Sequence, residues 1–364
     1  MAALARLQNM ITDGGGCIMV GTECSGMEPL PYVLKGLGLK GRFKMAFACE
    51  IDSRCRKLIQ TTHKRACRPA VLLEDITKRR AKKLPRHDLY VAGFPCQPFS
   101  AMGSRRGISD VRGRIIFRIV KAITAKKPRA FILENVRGLV TQHKRTFALI
   151  LEKLKSINDK AYIVGNQVLN TRDHGLPQNR ERVFIVGLLR SALAAPRFRW
   201  PPPSTLQTSM RDILDPAPRG FNIVSEEHGF LERCAEGTAR RLLDAFRQIE
   251  AAGYDRHSDT PVIIIDADGS KVHWMLGVSP CLTRTRAATG FYIASRGRRM
   301  TLQEMLRLQG LPSRHILRHQ GDVTDRQLGG MIGNAISVNV LERIVGRVLP
   351  ACGLVRGALS DRWA

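Results

Sequence analysis

The 364-residue sequence predicts an α/β protein with a doubly wound, mostly parallel sheet and a small, irregular second domain. Two observations predict it. Short apolar runs alternate with amphipathic stretches through the first half of the chain, and this alternation stops at the proline-rich segment 195–203. Strand–helix alternation at this spacing is typical of parallel sheets with helices on both faces. Because ligands of such sheets lie at the carboxyl ends of the strands, we expect the functional residues there.

Seven apolar runs are predicted strands, and the segments between them supply helices. The strands are 17–21, 43–49, 70–73, 88–92, 129–133, 161–164 and 183–188. The intervening helices are 27–37, 52–62, 113–126 and 143–156. Beyond the proline-rich segment, the pattern predicts a helix over 238–251, a hairpin turning at 266–269, and helical segments at 301–309 and 334–349. We expect one domain of 1–190 plus 323–364 and a second of 191–322.

The charge balance of the chain is strongly basic. It has 59 Lys and Arg against 31 Asp and Glu, a formal net charge of +28. This excess predicts a nucleic-acid partner, because cations that neutralise phosphates release counterions; the alternative is a soluble protein with an unusually basic surface. No apolar run approaches the roughly 18 residues that cross a bilayer, and no signal-peptide pattern is present. We therefore expect a soluble, intracellular protein without a membrane partner.

The nine cysteines predict neither a disulfide framework nor a metal site. Their number is odd, their spacing is irregular and no C-x-x-C pair occurs. Most are expected to be small buried residues in a reducing compartment. A cysteine with a chemical role must therefore be recognised by its surroundings.

Cys96 has such surroundings. It lies between two prolines in Gly93-Phe-Pro-Cys-Gln-Pro-Phe-Ser100, directly after the predicted strand 88–92. A cysteine held rigidly at a strand's carboxyl end suits a nucleophile that must meet one atom at one angle. The alternative is a stiff structural loop with a buried thiol.

Glu134 ends the next predicted strand, in Glu134-Asn135-Val136. Neighbouring parallel strands end at the same edge of a sheet, so Glu134 and Cys96 are expected to converge. A lone carboxylate at a strand end is otherwise solvated or a helix cap. The segment Gln178-Asn-Arg-Glu-Arg182 stands just before the strand 183–188, and its two arginines suit either this site or contacts to phosphate.

In this order, these segments resemble the cytosine-C5 DNA methyltransferases along nearly the whole chain apart from 191–275. Cys96 stands in a P-C-Q loop, Glu134–Val136 in an E-N-V block and Gln178–Arg182 in a Q-x-R-x-R block. The segment 298–312 is similar to the family's helix block, and Gly333-Asn334-Ala335 to its G-N block. The resemblance implies an S-adenosylmethionine-dependent methyltransferase fold and methylation of carbon 5 of cytosine in DNA.

The resemblance also implies the catalytic roles. Attack of the Cys96 thiolate on carbon 6 of cytosine activates carbon 5. Glu134 would donate to ring N3, Arg180 would orient Glu134, and Arg182 would face the nucleotide. Because these ring atoms are stacked and paired in a duplex, the base would be flipped out, with the loop 101–107 closing over it. The implied catalytic residues are Cys96, Glu134, Asn135, Arg180 and Arg182.

The cofactor implied by the resemblance is S-adenosyl-L-methionine, and no metal is implied. A small-residue turn after the first strand would approach it closely, Glu50 would hold its ribose and Asp75 would meet its adenine. The implied cofactor-binding residues are Thr22, Glu23, Cys24, Ser25, Gly26, Glu50, Ile51, Asp75, Ile76, Pro95, Asn334 and Ala335. The absence of G-x-G-x-x-G disfavours NAD.

The sequence departs from the family pattern at three places. Thr22–Gly26 replaces F-x-G-x-G, with Cys24 at the first glycine; Met331 stands where Gln is common, and Ser337 where Pro is common. Two alternatives stay open. The first is methylation of cytosine in RNA, although the C-F-T tripeptide of the tRNA-directed branch is absent. The second is a catalytically silent DNA-binding module with an altered cofactor turn.

The resemblance assigns 1–190 plus 323–364 to the catalytic, cofactor-binding domain and 191–322 to the target-recognition domain. Arg284 and Arg286 are candidate phosphate contacts. The partner implied is double-stranded DNA, bound by a monomer. The basic run Lys78-Arg-Arg-Ala-Lys-Lys83 favours the nucleus if the source is eukaryotic, with the cytoplasm as the alternative.

Overall fold

The computed structural model describes residues 16–63, 67–95, 111–206, 208–269 and 271–364. They divide into two compact units. The first consists of the described residues within Met1–Leu169, Glu181–Pro202 and Val340–Arg362, and the second of those within Asn170–Arg180, Pro203–Asn339 and Trp363–Ala364. No helix in these ranges is long and apolar enough to span a membrane.

The first unit is built on a seven-stranded sheet of order β3-β2-β1-β4-β5-β7-β6. Neighbouring strands from β3 to β5 run parallel, and β7 is antiparallel to β5. The strands are β1 (Ile18–Glu23), β2 (Phe43–Cys49), β3 (Val71–Leu73), β4 (Leu89–Gly93), β5 (Ala130–Val136), β6 (Tyr162–Asn170) and β7 (Glu181–Leu189). The helices are α1 (Leu30–Gly36), α2 (Ser53–Thr62), α3 (Ile115–Lys126), α4 (Gly138–Thr141) and α5 (Lys144–Lys155).

The centre of this sheet is apolar on both faces, as a sheet covered by helices on both sides requires. In β5 the side chains of Phe131, Ile132 and Leu133 are fully buried. The packing is close enough to select glycine: a Cβ on Gly187 of β7 would lie 2.1 Å from the ring of Phe131. Helix α3 adds an apolar stripe of Ile116, Ile119 and Ile123.

The second unit combines a four-stranded sheet of order β11-β10-β8-β9 with short helices. The strands are β8 (Ile263–Asp266), β9 (His273–Leu276), β10 (Tyr292–Ile293) and β11 (Arg298–Arg299), all paired antiparallel. The helices are α6 (Met210–Ile213), α7 (Ile223–Arg233), α8 (Glu236–Ala251), α9 (Arg284–Ala287), α10 (Leu302–Leu308), α11 (Ser313–Arg318) and α12 (Asp325–Asn334), and α13 (Val338–Ala351) begins here and continues into the first unit.

Two glycines bring α12 close to α9 and the residue before it. A Cβ on Gly329 would lie 2.1 Å from the carbonyl oxygen of Ala287, and one on Gly333 would lie 2.3 Å from that of Thr283. Any side chain at these positions would push the helix away. Gly333 is the glycine of the G-N block, and its close approach to Thr283 explains why glycine is needed there.

The predicted α/β class, the seven strands and the helices between them are confirmed, as are the helix over 238–251 and the hairpin. The predicted helix over 334–349 is wrong at its beginning. Helix α12 ends at Asn334 because Ala335 is extended (φ −66°, ψ 148°), and α13 begins at Val338. Strands β6 and β7 each extend beyond their predicted bounds.

Candidate functional site

The carboxyl ends of β4 and β5 lie side by side. Gly93 is the register partner of Glu134, so the carboxylate stands level with the start of the loop that leads to Cys96. The amide Nδ2 of Asn135 donates a hydrogen bond of 3.0 Å to the carbonyl oxygen of Phe94, and Asn135 is 2% exposed. Asn135 therefore ties the end of β5 to the beginning of this loop. Cys96 itself, with 97–110, lies outside the described residues.

Glu134 forms an ion pair with Arg182 at the beginning of β7. Arg182 Nε lies 3.1 Å from Glu134 Oε1, and both side chains are largely buried. The pairing follows from the sheet, because β7 is antiparallel to β5 and Arg182 is the register partner of Val136, near Glu134. The resemblance implied that Arg180 contacts Glu134 and that Arg182 faces the nucleotide. In the structure, Arg182 is the arginine that contacts the Glu134 carboxylate.

Arg180 belongs to the second unit and is 2% exposed. Its guanidinium is directed to backbone carbonyls of the same unit. It donates to the carbonyl oxygens of Leu282 at 2.6 Å, Gly333 at 3.2 Å and Ala335 at 2.8 Å. Two of these acceptors belong to the end of α12, where helical carbonyls lack partners within the helix. Arg180 thus holds the turn that carries Asn334, whose own side chain is exposed.

A chain of buried amides and hydroxyls supports the same turn. The side chain of Gln178 donates to Leu308 O at 3.1 Å and accepts from Leu282 N at 3.1 Å. Gln309 donates to Ile332 O at 2.9 Å and accepts from the Ser337 hydroxyl at 2.7 Å. Buried polar groups fully paired in this way specify one arrangement of the segments that they join.

The turn after β1 has the close-approach geometry expected for a ligand site. Cys24 and Gly26 both have positive φ, 53° and 54°. A Cβ on Gly26 would have no heavy atom within 4 Å, so open space adjoins the turn. The hydroxyl of Thr22 lies 2.8 Å from that of Ser25, which closes the turn from inside.

Glu50, at the end of β2, braces this turn. One carboxylate oxygen accepts from Gly26 N at 2.8 Å and the other from Asp52 N at 2.9 Å. Ile51 beside it is 75% exposed, an apolar side chain left open at the strand ends. Each Glu50 oxygen keeps a further acceptor position, so the carboxylate can bind a ligand hydroxyl while bracing the turn.

Asp75 follows β3 at the same edge. Its Oδ1 accepts from the backbone N and the hydroxyl of Thr77, both at 2.7 Å. These hydrogen bonds lower the pKa of the Asp75 carboxyl, and the charges of Lys78 and Arg118 contribute in the same direction. Ile76 is buried, and Pro95 is half-buried after β4. Among the residues that the structure describes, no His, Cys, Asp and Glu group is arranged to hold a metal ion.

Comparison with known proteins decides the family. The family model of the C-5 cytosine-specific DNA methylases matches residues 24–349. The chain belongs to this family. Type II methyltransferase M.NlaX of Neisseria lactamica is 32% identical over 331 residues, 88% of this chain and 91% of that protein. Type II methyltransferase M.NgoBI of Neisseria gonorrhoeae is 33% identical, over 76% of this chain and 80% of its own length.

A solved structure supports the fold. The crystal structure of the S. pombe Dnmt2 methyltransferase covers 91% of this chain and 98% of its own, with a TM-score of 0.58 and 17% sequence identity. At this identity the likeness shows the fold alone. It agrees with a seven-stranded sheet flanked by helices and a smaller second sheet.

Glu23, at the end of β1, has a fully buried side chain. Arg79 binds its carboxylate through Nε at 2.6 Å and Nη2 at 2.7 Å, and the Tyr90 hydroxyl donates to it as well. Burial raises the pKa of Glu23 although both partners act in the opposite direction. Arg79 belongs to the basic run 78–83 and was not predicted as a partner of Glu23. The signal in the sequence was the carboxylate at the end of an apolar strand, because a buried carboxylate needs a cation.

Glu28 is a second buried acid near the turn after β1 that was not predicted from the sequence. It is 1% exposed, has a positive φ of 54°, and accepts a hydrogen bond from the Thr22 hydroxyl. Burial raises its pKa to about 7, against the effect of hydrogen bonds from Thr22 and Ser25. Thr22, Ser25 and Glu28 thus form one buried network beneath the turn after β1.

One of the three departures from the family pattern has a local explanation, and a second has a local cost. Ser337, where proline is common, donates its hydroxyl to Gln309 and accepts from the Thr171 hydroxyl at 3.1 Å. Cys24, where glycine is common, occupies the left-handed region, which costs a side-chain-bearing residue about 1 kcal/mol or more. Met331 is buried, and nothing else in the structure explains it.

Proposed function

We propose that this chain transfers the methyl group of S-adenosylmethionine to carbon 5 of cytosine in duplex DNA, with Cys96 as the nucleophile. The observation that carries the proposal is the Glu134–Arg182 ion pair, which lies beside the start of the loop that leads to Cys96. Asn135 fixes the start of this loop by its hydrogen bond to the carbonyl oxygen of Phe94. The reaction requires a carboxyl group and a nucleophilic cysteine at the same edge of the sheet. Family membership supplies the reaction class.

The chemistry assigns each residue a step. The Cys96 thiolate adds to carbon 6 of the ring, which makes carbon 5 an enamine carbon able to take a methyl group. Glu134 hydrogen-bonds or protonates ring N3, so that the negative charge from the attack is neutralised. Carbon 5 would then take the methyl group, leaving S-adenosylhomocysteine. Loss of the carbon-5 proton to water, return of the N3 proton to Glu134 and expulsion of the Cys96 thiolate would release 5-methylcytosine. Because carbon 6 and N3 are inaccessible in a duplex, the base is flipped out of the helix.

The arginines act through other groups. Arg182 holds the Glu134 carboxyl in one orientation, which is the role that the sequence analysis gave to Arg180. Arg180 holds the Gly333–Ala335 turn, so it supports the cofactor-binding residues Asn334 and Ala335. Asn135 positions the loop rather than touching the base.

The strand ends of β1 to β3 fit S-adenosylmethionine. Open space at Gly26 admits a ligand against the backbone, Glu50 keeps acceptor positions for ribose hydroxyls, and exposed Ile51 offers an apolar surface to an adenine ring. Asp75 Oδ2 can accept from the adenine amino group. S-Adenosylmethionine supplies the methyl group when bound. The backbone of Glu23 lines the turn, while its side chain serves Arg79.

The division into a catalytic domain of 1–190 plus 323–364 and a target-recognition domain of 191–322 remains our proposal. Within the second of these, Arg284 is exposed and suits a phosphate contact, whereas Arg286 donates through Nε to Asp266 at 2.7 Å. We therefore retain only Arg284 for DNA. The relatives from Neisseria give no support for a nuclear location, so we propose the cytoplasm, with a monomer acting on DNA.

The test uses the purified chain, S-adenosylmethionine and a duplex of mixed sequence, followed by bisulfite sequencing. Methylated cytosines in one sequence context are expected with the wild type, and none with Cys96→Ser. If Cys96→Ser methylates at the wild-type rate, the covalent mechanism is wrong.

Two further measurements address the alternatives. A higher methylation rate on tRNA than on duplex DNA would show that RNA, not DNA, is the substrate. No detectable heat of binding with S-adenosylmethionine, together with retained DNA binding, would favour the silent module.

A further inference from the structure

The basic run 78–83, apart from Arg79, is not used by the proposed reaction. Six cations and no carboxylate occur between residues 76 and 87, and a second stretch without Asp or Glu extends from 111 to 133. These two stretches lie together in the first unit. The Nη2 of Arg79 donates to Arg118 O at 3.0 Å, and Lys126 Nζ donates to Lys82 O at 2.7 Å.

We name the resulting surface the basic face and define it by six exposed side chains: Arg80, Lys82, Lys83, Arg118, Lys121 and Lys127. None of the six forms an ion pair with a described residue. By contrast, some exposed cations of other helices pair with acids: Lys153 of α5 lies 4.0 Å from Glu152, and Arg247 of α8 pairs with Asp244. The basic face is therefore a local excess of charge rather than a sample of the overall composition.

Electrostatic effects on neighbouring groups locate the two ends of this surface. At one end, the charges of Lys78 and Arg118 help to lower the pKa of Asp75. At the other end, burial lowers the pKa of His87, and Lys126 lowers it further. Asp75 follows β3 at its carboxyl end, and His87 precedes β4 at its amino end. The surface thus extends from the edge that carries the proposed site to the opposite edge.

We propose that the basic face is a second binding surface for the phosphate backbone of duplex DNA, distinct from the ends of β4 and β5 that carry the proposed reaction. Arg118 and Lys126 are eight residues apart in α3, roughly 12 Å along the helix. Over that distance duplex DNA carries about seven phosphate charges on its two strands. The six cations match this density. The inference goes beyond methylation and rests on the proposed DNA substrate only for the choice of polyanion.

The probe is a fluorescent duplex of about 40 A·T base pairs, which has no cytosine to react. Its affinity is measured against KCl concentration for wild type and for Lys82→Glu/Lys83→Glu/Lys121→Glu. Each lost phosphate contact lowers the slope of log K against log [KCl] by about 0.9, so the slope is expected to fall by about three. The matched control is Lys144→Glu/Lys153→Glu/Lys155→Glu on α5, which changes net charge equally and is expected to leave the slope unchanged.

Several outcomes would overturn the inference: an unchanged slope in the triple variant, an equal fall in the control, or tighter binding of single-stranded RNA or of anionic vesicles than of the duplex. The neutral variant Lys82→Gln/Lys83→Gln/Lys121→Gln repeats the test without charge reversal, should the first variant misfold. Methylation of a pool of cytosine-containing duplexes of about 14 base pairs with randomised sequence is measured alongside. Its absence in wild type would refute the proposed function and leave the salt slopes to decide the basic face.

Discussion

Arg182 Nε lies 3.1 Å from Glu134 Oε1, although 48 positions separate the two residues in the sequence. The antiparallel pairing of β5 with β7 produces this contact, because it brings the beginning of β7 to the end of β5. Glu134 would otherwise have several rotamers at the strand end. The ion pair restricts the carboxyl to one direction, which is what a hydrogen bond to a single atom of a substrate requires.

Replacement of Arg182 by alanine is expected to lower kcat about 100-fold, because a misplaced carboxyl no longer meets ring N3. The KM for S-adenosylmethionine should stay near the wild-type value, since the residues proposed to bind it lie outside β5 and β7. Arg182→Lys keeps the charge without the planar guanidinium, so its kcat is expected to lie between those of the wild type and Arg182→Ala. Single-turnover methylation rates check this.

The control for this experiment is Arg137→Ala, which removes an exposed ion pair of 2.7 Å with Glu181. Exposed pairs contribute little, so its kcat should not change. Equal losses in Arg137→Ala and Arg182→Ala would contradict the positioning role.

Replacement of Asn135 by aspartate should separate its two hydrogen bonds. The aspartate still accepts from Val136 N but cannot donate to Phe94 O, which is left without this donor. We expect a kcat about tenfold below wild type and a loss of stability of about 1–3 kcal/mol. Asn158→Asp, which removes an exposed bond of 3.2 Å to Thr124 O, is the matched control. A wild-type kcat in Asn135→Asp would show that the loop does not depend on this bond.

Glu28 predicts a particular pH dependence of stability. Its pKa is about 7 in the folded chain, above the 4.5 of the unfolded chain. Between these values the native state holds a proton that the unfolded state has lost, so this group makes stability fall as pH rises from 4.5 to 7 and has no further effect above. The full change is about 3 kcal/mol.

Glu28→Gln keeps an acceptor for the Thr22 hydroxyl and cannot ionise. Relative to wild type, it should therefore gain stability progressively from pH 4.5 to 7 and keep that gain at pH 8. Differential scanning calorimetry of both proteins across this range measures the difference. Parallel curves for the two proteins would show that Glu28 does not titrate in this window.

Arg79 and Arg80 offer a comparison between adjacent residues of the same type. Arg79 binds the fully buried carboxylate of Glu23, whereas the Arg80 side chain is exposed. Arg79→Ala leaves a buried carboxylate without its cation and should cost about 3–5 kcal/mol. Arg80→Ala should change stability by less than about 0.5 kcal/mol. Chemical denaturation measures both, and similar values for the two would contradict the ion pair.

The amide network around Gln309 is expected to be cooperative. Gln309→Leu removes partners from Ile332 O and the Ser337 hydroxyl, and should cost about 2–3 kcal/mol. Ser337→Ala should cost about 1 kcal/mol. The double variant should cost less than the sum, with a coupling of about 1 kcal/mol. Gln248→Ala on the exposed side of α8 is the control and should be neutral; additive losses would show that the network is not coupled.

Much of the fold was predictable from the sequence because the information is local. Each strand of the large sheet contains a short apolar run bounded by polar or turn residues, and α3 repeats apolar residues at helical spacing. The break between α12 and α13 was not predictable in this way. Ala335 and Ile336 could continue the helix, but Ala335 is extended, and Arg180 donates to the carbonyl oxygens of Gly333 and Ala335 at this break.

The sequence by itself determined the fold class, the family and the set of strand-end residues, since apolar periodicity and the order of short motifs are properties of the chain. Only the tertiary structure decided which side chains meet. Of two arginines two positions apart, Arg182 pairs with Glu134, and of two adjacent arginines, Arg79 reaches Glu23 across 56 positions. These choices depend on sheet register and on the burial of charge, which are set by packing between distant segments and leave no local pattern.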